Sequence, residues 1–375
     1  MKIIVLTENK FDKRDYFRFG IDLFLESGFE VSVFDISGIV RTDEYISNYN
    51  PAEEIKESYV RKVNNHEELT RLLESENSAE AFITCYIGLE SKTRRIFEII
   101  SSKNIRYAVF RIASLPSLAL CKELFLRAAH YIKYNLLSPQ IQPAAVAFFA
   151  GRNARKQTIG IKIAKSTVTR EVGSLDYITY LKVKQSSSSP KENNGYPDII
   201  FIDEYYPLHP DINHATLTTW IKPEFYYTKI NNFLNEMCQK TGLTCGIAVH
   251  PRADYETNPF DFELHYNKTA ELVNNAQIIV GHASTSFSFA ILDNKPIIQV
   301  GFRNIKKTIY GKLLEKFSSL LDLPVCYLDD KYVIPDTAVN KKRYKKYVED
   351  YIIADRKVSI QDHNRSLIDY LKNSR

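Results

Sequence analysis

Short apolar runs alternate along this chain with segments whose apolar residues recur every three or four positions. Lys2–Thr7 is apolar and rich in β-branched residues, the pattern of a strand buried on both faces of a parallel sheet. Arg14–Ser27 then sets Phe17, Ile21, Phe24 and Leu25 at helical spacing before Gly28, a natural helix stop, and Glu30–Asp35 reads as the next strand. The alternation continues with a helix at His66–Leu73, a strand at Ala81–Cys85, a helix at Glu90–Ser101 and a strand at Tyr107–Arg111. An amphipathic helix at Leu118–Tyr134 and an apolar run ending at Phe148–Ala150 follow. Strands separated by helices in this way predict a doubly wound α/β domain.

Residues 184–196 break the pattern. Ser, Pro, Lys, Asn and Gly dominate them, so they read as a linker. A second series has strands at Asp198–Ile202, Gly246–Val249, Ile278–Val280 and Pro296–Val300. Its helices fall at Glu224–Thr241, Ala270–Asn274, Phe287–Leu292 and Tyr310–Leu321. The end of the chain is helical by pattern over Lys341–Tyr351 and Ile360–Lys372, and its first part is strongly basic. The expected domains are therefore 1–183 and 197–340, joined by 184–196 and followed by a basic helical tail, 341–375.

Composition changes little of this. At 375 residues the chain is long enough for two domains, and 44% hydrophobic with 25% charged is ordinary for a globular protein. The formal charge of +5 admits an acidic ligand or a membrane surface without requiring nucleic acid. Five scattered cysteines, Cys85, Cys121, Cys238, Cys245 and Cys326, lack zinc spacing and read as reduced thiols. The first residues turn polar after Leu6, unlike a signal peptide, and no apolar stretch approaches the roughly 20 residues of a membrane span. A cytoplasmic protein is expected.

The polar residues that follow the strands of the second series change the picture more. In open α/β sheets ligands bind beyond the carboxyl ends of the strands. Three clusters fall there: Asp203-Glu204, His250-Pro251-Arg252, and the turn from Gly281 that carries Ser284, Thr285 and Ser286. A turn of small and hydroxyl residues between a strand and a helix suits a phosphate, although one hydroxyl can serve simply as a helix cap. His250 can donate to a phosphate oxygen or protonate a leaving group, and Arg252 can neutralise an anion; a surface turn is the plainer alternative. Asp203 or Glu204 can take a proton from a hydroxyl, or cap a helix, or pair with the basic tail. Tyr205, Tyr206 and His209-Pro210-Asp211 make the stretch after this pair unusual for a plain loop. Asp176-Tyr177 reads as a structural turn or an acceptor contact. The run 341–347 is a solvated helix face or a weak contact with anionic lipid. There is no G-x-G-x-x-G, Walker loop, nucleophile elbow or H-E-x-x-H, and no persuasive D-x-D. No metal and no cofactor are therefore expected.

These clusters carry a resemblance. His250-Pro251 looks like the HP motif of bacterial sialyltransferases, and Ser284-Thr285-Ser286 resembles their serine/threonine-rich motif. Asp203-Glu204 resembles the first two positions of their acidic D/E-D/E-G motif, and the order along the chain matches. The third position departs, because it is Tyr205 and not Gly. The layout resembles the GT-B glycosyltransferases. The implied fold is α/β, GT-B type, with two Rossmann-like doubly wound domains facing a central cleft.

The resemblance implies an inverting, metal-independent transfer of a nonulosonic acid (sialic, pseudaminic or legionaminic type) from its CMP-activated donor. The acceptor would be a capsule, lipopolysaccharide or lipid-linked glycan, bound in the N-terminal domain. On this reading Gly281, Ser284, Thr285 and Ser286, with His250, Pro251 and Arg252, hold the nucleotide and its phosphate. His250 assists departure of CMP, and Asp203 or Glu204 is the base. Asp176, Tyr177 and Tyr205 are acceptor contacts, and the basic tail gives a peripheral contact with the inner membrane. Two alternatives stay open: a UDP-sugar transferase or epimerase of the same fold, and a non-catalytic nucleotide-sugar-binding subunit of a polysaccharide assembly complex.

Overall fold

The computed structural model describes every residue except 44–45, 47–52, 114–115, 117–128, 130–131, 137, 157–158, 187–194, 209–220 and 375. Most of the helix expected at Leu118–Tyr134, the core of the expected linker, and His209-Pro210-Asp211 thus lie outside the described residues. The chain divides into two compact units. One is built from Met1–Ser114, Ala119–Leu175 and Ile353–Arg375, the other chiefly from Asp176–Ile352.

In the first unit seven strands are described: β1 (Lys2–Thr7), β2 (Glu30–Asp35), β3 (Val60–Lys62), β4 (Ala81–Cys85), β5 (Arg106–Arg111), β6 (Val146–Ala150) and β7 (Val168–Val172). They form one parallel sheet in the order β3-β2-β1-β4-β5-β6-β7. Along β1, Ile3 and Val5 enter one core with Phe24, Phe82 and Phe148, while Ile4 and Leu6 enter the other with Ile83, Phe97 and Tyr107. Covering on both faces is why this strand reads as an unbroken apolar run.

The second unit repeats the plan. The strands β8 (Ile199–Ile202), β9 (Cys245–Ala248), β10 (Glu263–His265), β11 (Ile278–Gly281), β12 (Ile297–Gly301) and β13 (Val325–Tyr327) lie parallel in the order β10-β9-β8-β11-β12-β13. In each sheet the first strand is central, the next two extend to one side, and the fourth returns to the other side. That is the doubly wound Rossmann order, and it opens a crevice at the carboxyl ends of the first and fourth strands.

β3, β7, β10 and β13, which the apolar pattern does not reveal, are the edge strands of the two sheets. Three carry charged or His residues, and β13 is three residues long. An edge strand meets solvent along one side and has no need of a continuous apolar run.

Two helical expectations change. The helix expected over Arg14–Ser27 is two, Lys13–Arg18 and Ile21–Glu26, because Gly20 takes a left-handed φ of 70° between them. A side chain there has no room: a Cβ on Gly20 would lie 2.5 Å from Cγ of Asn364, whose Nδ2 donates to the Arg18 carbonyl at 3.2 Å. Asn364 belongs to the last helix, His363–Asn373, which buries Leu367 and Leu371 in the first unit. The expected tail 341–375 is therefore not a separate appendage. Its earlier helix, Lys341–Tyr347, buries Tyr344 and Tyr347 in the second unit and leaves Lys341, Lys342, Arg343, Lys345 and Lys346 exposed. The boundary expected at 184–196 differs as well. The helix Leu175–Ser186 runs past residue 183 and is tied to the second unit through Asp293, which accepts from the Tyr180 hydroxyl at 2.8 Å and pairs with Lys184 at 2.9 Å. No helix among the described residues is long and apolar enough to cross a membrane.

Candidate active site

The central strand β8 lies between β9 and β11, with Ile202 opposite Ala248 on one side and Gly281 on the other. The residues that come next therefore emerge together at one edge of the sheet: Asp203-Glu204, Val249-His250 and His282-Ala283. The parallel register gathers the three clusters at the crevice that the strand order creates.

Asp203 is 1% exposed and its two oxygens are occupied. Oδ1 accepts from the Tyr205 N–H at 2.8 Å, and Oδ2 accepts from the Tyr255 hydroxyl at 2.9 Å and more weakly from the His250 N–H at 3.4 Å. The Tyr227 hydroxyl in turn donates to that of Tyr255 at 3.2 Å. Burial pushes the Asp203 carboxyl up to about 6 against the pull of these donors. So placed, Asp203 ties the β8 and β9 loops together.

Glu204 faces differently. It is half-buried, and its Oε1 accepts from the Ala283 N–H at 2.8 Å, spanning the β8–β11 crevice. Burial pushes this carboxyl up to about 7; the Ala283 donor opposes the shift and the Asp203 charge adds to it. A carboxyl poised there is suited to exchange a proton near neutral pH.

Tyr205, the departure from the acidic motif, has a φ of 52°. This is the left-handed region that Gly enters freely and other residues rarely enter. The backbone at the third motif position thus has the shape a glycine would give it, reached here by a tyrosine. Its ring is edge-on to Tyr255, with centroids 5.2 Å apart. That contact and the Tyr205 N–H bond to Asp203 hold the conformation.

In the β9 loop, Nδ1 of His250 accepts from the Arg252 N–H at 3.2 Å, so the neutral ring carries its proton on Nε2. Pro251 is exposed and Arg252 half-buried.

The β11 turn divides between core and surface. His282 lies in the core: its Nδ1–H donates to the Val300 carbonyl at 2.9 Å and its Nε2 accepts from the Tyr226 hydroxyl at 2.8 Å. Burial lowers its pKa to about 4, so the ring is neutral. Gly281 serves packing, since a Cβ there would meet the Phe287 ring at 2.9 Å. Ser284 Oγ accepts from the Ser286 N–H at 3.2 Å, while the Thr285 and Ser286 hydroxyls have no hydrogen-bond partner among the described residues. Ser286 begins the helix Phe287–Leu292 without a side-chain capping bond, so capping does not use these two hydroxyls.

Asp176 and Tyr177 stand apart from this group. Tyr177 is buried against Tyr180, on the helix anchored at Asp293. Asp293 caps the far end of Phe287–Leu292 from the hydroxyls.

Tyr255, Tyr226 and Gln299 were not legible as site residues. Gln299, fully buried, donates to the His282 carbonyl at 2.7 Å and to that of Leu314 at 3.1 Å, which fixes the turn. A lone amide in the apolar run Ile297–Val300 was the available signal for it. Tyr255 sits in a polar loop whose pattern carries none.

No protein-family model matches this chain, and no curated protein matches it. Among solved structures, the chain is similar to UDP-GlcNAc 2-epimerase of Methanocaldococcus jannaschii, solved with UDP-GlcNAc and UDP, at 13% identity and a TM-score of 0.43 over 93% of this chain and 98% of that one. It is similar to Acinetobacter baumannii MurG at 10% identity and a TM-score of 0.44 over 100% of both chains. A further likeness is to a UDP-N-acetylglucosamine 2-epimerase of Listeria monocytogenes, named as putative, at 10% identity and a TM-score of 0.48 over 100% and 96%. Likeness of this degree says nothing of donor or reaction. The fold rests on the two strand orders themselves, which supply the two doubly wound α/β domains expected from the alternating pattern of strands and helices.

Proposed function

We propose that this chain is a GT-B glycosyltransferase that transfers a sugar from a nucleotide-activated donor, and that the donor is a CMP-activated nonulosonic acid. The observation that supports this reading best is the juxtaposition of Glu204, His250 and the 284–286 hydroxyls at neighbouring strand ends of one Rossmann sheet. The CMP donor is what the resemblance carried by the HP and hydroxyl motifs, in their order along the chain, implies.

Of the acidic pair, Glu204 is the base in this proposal. Asp203 is enclosed with both oxygens engaged, whereas Glu204 is half-buried and uses one oxygen. Glu204 takes the proton of the acceptor hydroxyl as that oxygen attacks the anomeric carbon. The bond to the CMP phosphate breaks with inversion. His250 donates through Nε2–H to the departing phosphate, and Thr285 and Ser286 bind its oxygens through their hydroxyls. The acceptor is a surface glycan held in the first unit, and the exposed cations of Lys341–Lys346 give a weak attraction to anionic lipid.

A donor screen tests the proposal. CMP-Neu5Ac, CMP-pseudaminic acid, CMP-legionaminic acid and CMP-Kdo are offered with a glycan acceptor and CMP release is followed, with UDP-GlcNAc as the competing donor. Stabilisation by CMP and release from one CMP-sugar are expected. Stabilisation by UDP alone would transfer the reading to a UDP-sugar enzyme.

A further inference from the structure

The loop that carries His250 begins and ends on one oxygen atom. At its start the His250 N–H donates to Asp203 Oδ2 at 3.4 Å, and at its end the Tyr255 hydroxyl donates to the same oxygen at 2.9 Å. Between these points His250, Pro251, Arg252 and Ala253 form a β-turn, closed by the Ala253 N–H on the His250 carbonyl at 2.9 Å. Proline suits the second position of such a turn, because its ring already fixes φ at about −65°. The turn also sets the imidazole, since the Arg252 N–H is the donor that occupies its Nδ1.

The two ties to Asp203 differ in strength. The backbone bond from His250 is long for an N–H donor, whereas the hydroxyl bond from Tyr255 has ordinary length. Tyr255 is itself held firmly. The Tyr227 hydroxyl, on the helix Pro223–Thr241, donates to it at 3.2 Å. Its ring is edge-on to Tyr205, Tyr227 and Phe260, with centroids 5.2, 6.1 and 6.0 Å away. Freeing one end of a loop returns backbone entropy of about 1–2 kcal/mol for each residue released. A single weak bond at the other end, about 0.5–1.5 kcal/mol, does not outweigh that. The conformation of the turn therefore depends on the Tyr255 hydroxyl more than on the loop's own start.

We infer that Tyr255 is the positioning residue for His250: its hydroxyl, through Asp203 Oδ2, closes the 250–255 loop and so fixes the imidazole with its proton on Nε2. The closure is independent of the reaction; that it serves departure of the donor phosphate rests on the transferase reading.

Tyr255→Phe keeps the ring and removes the hydroxyl, and two measurements on the full chain read the result. The first needs no substrate: the imidazole nitrogen chemical shifts of His250, assigned by their loss in His250→Gln, report its tautomer. Wild type should be chiefly Nε2–H, and Tyr255→Phe should move the ratio several-fold towards Nδ1–H. The second is transfer from a CMP-sugar. The kcat should fall about 10–100-fold with KM and CMP affinity within a factor of about two, because His250 acts on the phosphate as it departs. In the His250→Gln background the same change should cost less than about twofold, since Tyr255 then has no imidazole to place. Should Tyr255→Phe fail to fold, Tyr227→Phe removes only the donor to the Tyr255 hydroxyl and should move both readouts the same way by a smaller factor. An unchanged tautomer ratio in the variant that folds would overturn the inference. So would a raised KM with unaltered kcat, or a kcat loss as large in the His250→Gln background as in wild type. A shifted tautomer in a protein that turns over no CMP-sugar would defeat the transferase reading and leave the positioning role standing.

Discussion

Glu204 Oε1 accepts the backbone N–H of Ala283 at 2.8 Å, across the crevice between β8 and β11. The acidic residue is thereby held at the start of the hydroxyl turn proposed to receive the donor phosphate. A carboxylate so close to a phosphate site is compatible with an anion because its pKa stands at about 7, which leaves it protonated in part near neutral pH.

Glu204→Gln keeps an acceptor for the Ala283 N–H and removes the base. Transfer should fall by about 10²–10⁴-fold, the usual weight of general base catalysis, with CMP affinity within a factor of two or so. Steady-state kinetics beside a CMP titration checks it. Loss of CMP binding together with turnover would instead mark Glu204 as part of the donor site.

The raised carboxyls give two pH dependences of opposite sign. Activity needs ionised Glu204 and should rise as pH passes through about 7. Stability runs the other way. Asp203 and Glu204 bind protons more tightly folded than unfolded, so their contribution is fully present below the unfolded carboxylate range near 4 and is lost as pH rises through about 6 and 7. Thermal melts of wild type and Glu204→Gln from pH 4 to 8 should therefore converge at the acid end and separate towards pH 8, with wild type the less stable there.

Tyr205→Gly and Tyr205→Ala both lose the ring contact with Tyr255, but only glycine enters the left-handed region at little cost. The Ala variant should be the less stable of the two by about 1 kcal/mol. Urea denaturation of the pair checks this, and equal stability would show that the local backbone relaxes.

Thr285→Val and Ser286→Ala remove hydroxyls with no hydrogen-bond partner among the described residues. The fold should lose no more than about 0.5 kcal/mol, while CMP affinity falls up to about tenfold per hydroxyl. Unchanged CMP affinity in the double variant would remove this turn from the donor site.

Tyr226→Phe strands the Nε2 acceptor of His282 in the core, at a cost of about 1–3 kcal/mol. Chemical denaturation should show that loss without a change in the pH profile of activity, since His282 is neutral throughout the working range.

The residues of the site were legible to different depths. The interior strands and the polar clusters at their ends follow from local pattern, because a strand buried on both faces must be apolar along its whole length and can become polar only where it leaves the sheet. Asp203 and Glu204 are neighbours in the chain and look equivalent there. Their difference comes from Tyr255, 52 residues beyond Asp203, and from Ala283, 79 residues beyond Glu204. His282 follows the apolar run Ile278–Gly281 much as His250 follows Gly246–Val249, so local pattern does not tell the two apart. The position of His282 in the core depends on Tyr226 and Val300, which periodicity does not report.

The sequence by itself determined the alternating α/β plan, the interior strands of both sheets and the acidic, His-Pro and hydroxyl clusters, all of which depend on residues close together in the chain. Only the tertiary structure decided the rest. It showed the edge strands, which need no apolar run, and the helix divided at Gly20, where the distant Asn364 fills the space. It returned the last helix to the first unit, and it separated a buried, fully hydrogen-bonded Asp203 from a half-buried Glu204. Each of these depends on which side chains meet across the fold, and local periodicity carries no record of such meetings.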